Sequence, residues 1–114
     1  MTFPIQLPSP STALRLHQAA ARIRRTAQAA QHDLDTDDFW KCYSPATAWH
    51  DGFMNGMGGV CSELAGLFTP ELALAIADWL DTTGAHAARH GPDSIPAPAA
   101  AIADRLTRDP DGAS

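Results

Sequence analysis

Two histidines near the end of a predicted helix, His86 and His90, have the spacing of a chelating pair. Residues four apart lie on one face of an α-helix, so both imidazoles could bind the same transition-metal ion. The glutamate that directly follows the first histidine of a zincin motif is absent, since Ala87 occupies that position. Cationic side chains are also favoured at a helix C-terminus, which explains the pair without a ligand. We therefore expect no metal site and no cofactor.

The doublet His50-Asp51 resembles the pair used by metal-dependent phosphohydrolases, in which further histidines and aspartates complete the metal site. An alternative interpretation is therefore a small helical enzyme that depends on a metal or a nucleotide, or a ligand-binding protein. In either case the site would lie near His50 and Asp51. The chain has neither the lysine-containing phosphate loop nor the nucleophile elbow of known catalytic motifs. The primary expectation is consequently a protein that is not an enzyme, and we assign no catalytic residue.

Alternating carboxylates open the run from Asp33 to Asp38, as they do in a calcium-binding loop. Such a loop needs glycine at its sixth position and glutamate at its twelfth, where this chain has Asp38 and Ser44. The run is better interpreted as a turn, or as a cap for a short helical segment that carries Phe39, Trp40 and Tyr43.

Arginines dominate the start of the chain, whereas acids dominate its middle. Residues 1–32 contain no acid, and 33–81 contain nine acids and only Lys41 as a base. A nucleic-acid-binding regulator is therefore a second alternative, with its contacts on the first helix (Arg15, Arg22, Arg24 and Arg25). Helical geometry spreads these arginines over several faces, and the net charge is −5, so we do not expect nucleic acid as a partner.

The chain carries no recognisable signal sequence and no apolar run of membrane-spanning length. Its two cysteines, Cys42 and Cys61, are typical of a reduced compartment rather than of a disulfide scaffold. These features predict a cytoplasmic protein that has no membrane partner. The excess of arginine over the single lysine indicates a bacterial or phage genome rich in GC.

Composition predicts an all-α fold, because alanine and leucine are abundant and valine occurs once. A chain of 114 residues has room for one domain. We expect a small helical bundle of three main helices plus a short C-terminal helix, with an extended N-terminal arm. The predicted segments are an arm over 1–10, a single helical domain over 11–108 and a disordered tail over 109–114.

Capping residues give the predicted helix bounds. The first helix starts at Ser11, and its apolar stripe follows a seven-residue repeat (Leu16, Ala20, Ile23, Ala27, Ala30 and Leu34). The pair Ser44-Pro45 starts a second helix that runs to about Leu67, and Thr69-Pro70 starts a third. The third helix ends at Gly84 or continues to His90, and the last spans about 97–107.

The second predicted helix combines apolar residues at helical spacing, continuing through Leu64 and Leu67, with four glycines at 52, 56, 58 and 59. Four glycines inside a helix cost about 4 kcal/mol, a large share of a net stability of about 5–15 kcal/mol. We therefore expect either a loop or a surface that another backbone or a ligand approaches closely. The interaction surface predicted from this pattern comprises Trp49, Gly52, Phe53, Gly56, Met57, Gly59 and Val60.

These residues could equally form the protein's own core. The favoured interpretation is a small regulatory or protein-interaction protein that uses this glycine and aromatic face. Its partner would be another protein or a second copy, and a homodimer is expected.

Overall fold

The computed structural model describes residues 11–108, which form five α-helices and no strand. The helices are α1 (Thr12–Thr36), α2 (Ala48–Gly56), α3 (Gly59–Leu67), α4 (Pro70–His90) and α5 (Ala97–Thr107). Short 3₁₀ turns lie at Asp38–Trp40 and Pro92–Ser94. The all-α prediction is confirmed for this part of the chain. The predicted N-terminal arm over 1–10 and the predicted tail over 109–114 lie outside the described residues.

Side-chain caps begin two of the helices where the sequence predicts them. The Ser11 hydroxyl accepts a hydrogen bond from the Leu14 amide at 3.1 Å, and Thr69 does the same for Leu72 at 3.1 Å. Each bond satisfies an amide that has no partner inside its own helix. The predicted bounds of α5 are confirmed, and α4 takes the longer of its two predicted lengths, through Gly84 to His90.

The second predicted helix is wrong as a continuous element, because the chain leaves helical geometry at Gly58. That residue has φ 72° and ψ 177°, a conformation that is essentially restricted to glycine. The amides of Met57 and Gly58 both donate to the Phe53 carbonyl and close the end of α2. The start is also wrong: Ser44 and Pro45 form a turn, and α2 begins at Ala48. Two helices of nine residues therefore replace one long helix.

The chain divides into two compact units, of which the first contains residues 11–19 and 80–108 in the described part. Its fully buried large side chains are Leu16 and Leu80, and buried alanines fill the rest of its core. A close approach within this unit explains Gly84, since a Cβ there would lie 2.8 Å from the His17 ring. His17 also contacts Asp81 at 2.8 Å.

The second unit comprises residues 20–79 and contains α2 and α3 entirely. Its buried residues include four alanines, namely Ala20, Ala27, Ala48 and Ala77. Arg24 forms an ion pair with Asp78 at 3.0 Å inside this unit. The prediction of a single domain over 11–108 stays a prediction.

None of the described helices is by itself long and apolar enough to cross a membrane. The pair Gly59–Leu67 and Pro70–His90, bent by 55° at its junction, meets the length and composition requirement only when both helices are taken together.

Candidate interaction surface

Five aromatic side chains of the second unit pack against one another, and we call them the aromatic cluster (Phe39, Trp40, Tyr43, Trp49 and Phe53). The Trp40 and Trp49 rings stack with centroids 5.7 Å apart and planes 9° apart. The Phe53 ring meets Trp49 edge-on at 4.9 Å. Stacked and edge-to-face pairs of this kind contribute beyond the area that they bury. The cluster therefore anchors the start of α2 to the 3₁₀ turn that precedes it.

Gly52 is the position in α2 that the aromatic cluster requires to be small. A Cβ on this residue would overlap the six-membered ring of Trp40, with Cε3 only 2.9 Å away. Gly52 itself is buried. Its lack of a side chain thus serves packing inside the chain, against an indole rather than against another backbone.

Helices α2 and α3 are in close contact, through a small residue and one indole hydrogen bond. The Trp49 Nε1–H donates to the Ala65 carbonyl at 3.1 Å. A Cβ on Gly66 would lie 3.1 Å from the His50 Cα, so two main chains do approach closely at this point. Ser62, one turn before Gly66 on α3, is 1% exposed. The side of α3 that carries Ser62 and Gly66 is therefore the buried side.

The opposite side of α3 presents three large apolar residues to solvent, and we call this surface the α3 face. It consists of Val60, Leu64 and Leu67, which are 77%, 60% and 65% exposed. Met57 before the helix is 76% exposed, and Phe68 after it is 52% exposed. Large exposed apolar patches on a protein surface are typical of interaction sites.

The structure separates the predicted interaction residues into two groups. Trp49 and Phe53 are half-buried in the aromatic cluster and Gly52 is buried beneath Trp40. Met57 and Val60 are exposed, and nothing lies within 4 Å of a Cβ built on Gly56 or Gly59. Only this second group lies beside or on the α3 face.

Leu64, Leu67 and Phe68 also belong to this exposed surface but were not among the predicted interaction residues. Leu64 and Leu67 continue the apolar spacing that starts at Val60, so the signal was present in the sequence. Spacing alone cannot distinguish a buried face from an exposed one, because both have the same period. Because the helix breaks at Gly58, the side of α3 that is exposed cannot be inferred from the face of α2 that is buried.

The alternative site near His50 and Asp51 is a local cluster at the start of α2. The Thr47 hydroxyl donates to the Asp51 carboxylate at 2.7 Å, and His50 Nδ1 lies 3.3 Å from it. These two hydrogen bonds, Thr47 first, lower the pKa of Asp51 below its usual value. Among the described residues, no group of three or more histidine, cysteine or acidic side chains is placed to hold a metal ion.

His86 and His90 do face the same way on α4, with ring centroids 4.3 Å apart. Elsewhere, a cavity of about 430 Å³ lies in the second unit beside Trp40 and Tyr43. Its charged lining residues are Asp35 and Lys41, and the latter forms an ion pair with Asp38 at 2.7 Å. Neither feature brings His50 and Asp51 together with a further reactive group.

Arginines of α1 form ion pairs with acids of the chain itself. Arg24 pairs with Asp78 at 3.0 Å, and Arg15 lies 3.7 Å from Asp104. Carboxylates beside these guanidinium groups reduce the positive potential that a phosphate backbone would meet.

Comparison with known proteins gives no relative: no family model, no curated protein and no solved structure matches this chain.

Proposed function

We propose that this chain is a non-enzymatic interaction protein that binds another protein through the α3 face. The observation that carries the proposal is the exposure of Val60, Leu64 and Leu67 on one side of a helix whose other side is buried. A surface of this composition gains free energy at about 25 cal/mol for each Å² of apolar area removed from water. We propose that the protein's role is regulatory and is exercised through the bound partner.

The rest of the second unit supports the proposal by holding α3 in place. The Trp49 hydrogen bond to Ala65 and the contact of Gly66 with His50 attach α3 to α2. A recognition helix that is already ordered loses less conformational entropy on binding than a flexible segment does. Met57 at the edge adds an adaptable side chain that suits a helical partner.

A cytoplasmic location is part of the same proposal. Cys42 and Cys61 are both free and exposed, which suits a compartment that keeps thiols reduced. The alternative of an enzyme with its site near His50 and Asp51 receives less support, because the Asp51 carboxylate already accepts a hydrogen bond from the Thr47 hydroxyl.

Photo-crosslinking in cells tests the proposal. A photoreactive amino acid at position 64 should give a crosslinked product of defined mass, and Val60→Glu in the same chain should abolish that product. The control position is Leu14, which is an exposed leucine on another helix (47% exposed) and should give no product. A chain that folds normally and gives no product at position 64, neither with itself nor with another protein, would contradict the proposal.

A further inference from the structure

We infer that the protein bound at the α3 face is a second copy of this chain, paired about a two-fold axis beside Leu64. The inference rests on the proposed function, because it names the partner of the same surface. It is carried by the spacing, the charge and the size of that surface.

The spacing of the α3 face is that of a helix-pairing seam. Val60, Leu64 and Leu67 are separated by steps of four and three, as apolar positions are in paired helices. The buried Ser62 and Gly66 lie on the other side of α3, so the seam points away from α2. In an antiparallel pair, Leu64 meets Leu64 of the second copy, while Val60 meets Leu67 of the second copy. One patch thus matches itself, as a two-fold interface requires.

Charge permits this pairing, because Glu63 is the single charged residue between Gly52 and Pro70. It lies one residue away from Leu64, at the rim of the seam, where solvent and salt screen its repulsion from a second Glu63. Residues 42–88 contain no lysine or arginine. Helices that lie on membranes are rich in these residues on their polar face, so the composition favours a protein over a lipid surface.

The size of the surface also suits a dimer. Val60, Leu64 and Leu67 are between 60% and 77% exposed, and Met57 before the helix and Phe68 after it are 76% and 52% exposed. A standard interface buries about 800 Å² on each partner, and its centre is its most apolar part. The α3 face can therefore supply most of the apolar centre of a symmetric interface.

Sedimentation velocity of the purified full chain over a range of concentrations tests the inference. The wild-type chain should sediment as a dimer, and Leu64→Glu should weaken the dimer by at least roughly thirtyfold, the effect of a hot-spot residue. The matched control is Leu14→Glu, which makes the same chemical change at another exposed leucine and should leave the dimer intact. Circular dichroism of each variant verifies that helix content is unchanged. A wild-type chain that is monomeric at its highest soluble concentration would overturn the inference.

Thiol crosslinking tests the position of the two-fold axis with a substitution that, unlike Leu64→Glu, adds no charge. In a chain with Cys42→Ser and Cys61→Ser, the change Leu64→Cys should allow a short bismaleimide to join two copies. Leu14→Cys in the same background should not be joined. Crosslinking at position 14 alone, or equally at both positions, would show that copies meet elsewhere or collide at random, and would overturn the inference.

The outcomes separate this inference from the proposed function. If the chain is monomeric and position 64 captures a different protein in cells, the inferred dimer is wrong but the proposed interaction surface stands. A monomeric chain that captures nothing overturns both. A monomeric chain that binds phosphatidylcholine vesicles, and loses that binding with Leu64→Glu, would assign the face to a membrane instead.

Discussion

Ser62 on α3 has a buried hydroxyl that has no hydrogen-bond partner among residues 11–108. An unpaired buried hydroxyl costs about 1–3 kcal/mol, and alanine is also the better helix former. We expect Ser62→Ala to raise the free energy of unfolding by about 1–2 kcal/mol, a net figure within the range given for such groups. Urea denaturation measures this as a higher midpoint with an unchanged slope.

The control for this prediction is Ser94, whose hydroxyl donates to the Gly91 carbonyl at 2.7 Å. Ser94→Ala removes a formed bond, so it should lower the free energy of unfolding by about 0.5–1.5 kcal/mol. A loss of stability in Ser62→Ala would mean that its hydroxyl is paired in solution.

At the residue scale, the apolar spacing of the sequence could not assign exposure. Trp49 and Val60 look equivalent as apolar positions of one helix, yet Trp49 packs on Trp40 and Val60 faces solvent. The difference arises from a ring stacking between separate elements, which no local pattern encodes. The caps at Ser11 and Thr69 were predictable, because each depends on bonds within three residues.

Gly58 ends α2 in a backbone conformation that a residue with a Cβ adopts only under strain. Gly58→Ala should therefore lower the free energy of unfolding by about 1–3 kcal/mol. Gly56 is helical and has open space around its Cβ, so Gly56→Ala should instead raise stability by about 0.5–1 kcal/mol. Thermal unfolding of the two variants gives opposite shifts of Tm, and a neutral Gly58→Ala would show that α2 and α3 are not separated there.

At the element scale, three helices lie at their predicted positions, namely α1, α4 and α5. The error lay in the segment 45–67, where the apolar spacing is helical but Gly58 and Gly59 both take positive φ. The sequence presented the glycines as either a loop or a close-contact surface. In the structure Gly58 makes the break, whereas no other backbone among the described residues approaches Gly52, Gly56 or Gly59 closely. The close approach to His50 is made by Gly66, which was not among the predicted glycines.

At the scale of the whole molecule, the described residues contain few large buried side chains, and Leu16 and Leu80 are the large apolar ones that are fully buried. Leu80→Ala should lower the free energy of unfolding by about 2–5 kcal/mol. That loss is a large part of the about 5–15 kcal/mol available to a typical domain. Leu14→Ala changes an exposed leucine and should cost about 1 kcal/mol at most, so equal losses in denaturant titrations would contradict the assigned core.

The predominance of alanine among the buried residues affects the heat capacity of unfolding. Among residues 11–108, eight of the ten buried hydrophobic residues are alanines, so unfolding of this part exposes little apolar area for each residue. The heat-capacity increment of unfolding scales with that area, and a small increment flattens the curve of free energy against temperature. This protein should accordingly change stability only gradually on cooling, and its calorimetric baselines before and after melting should lie unusually close together.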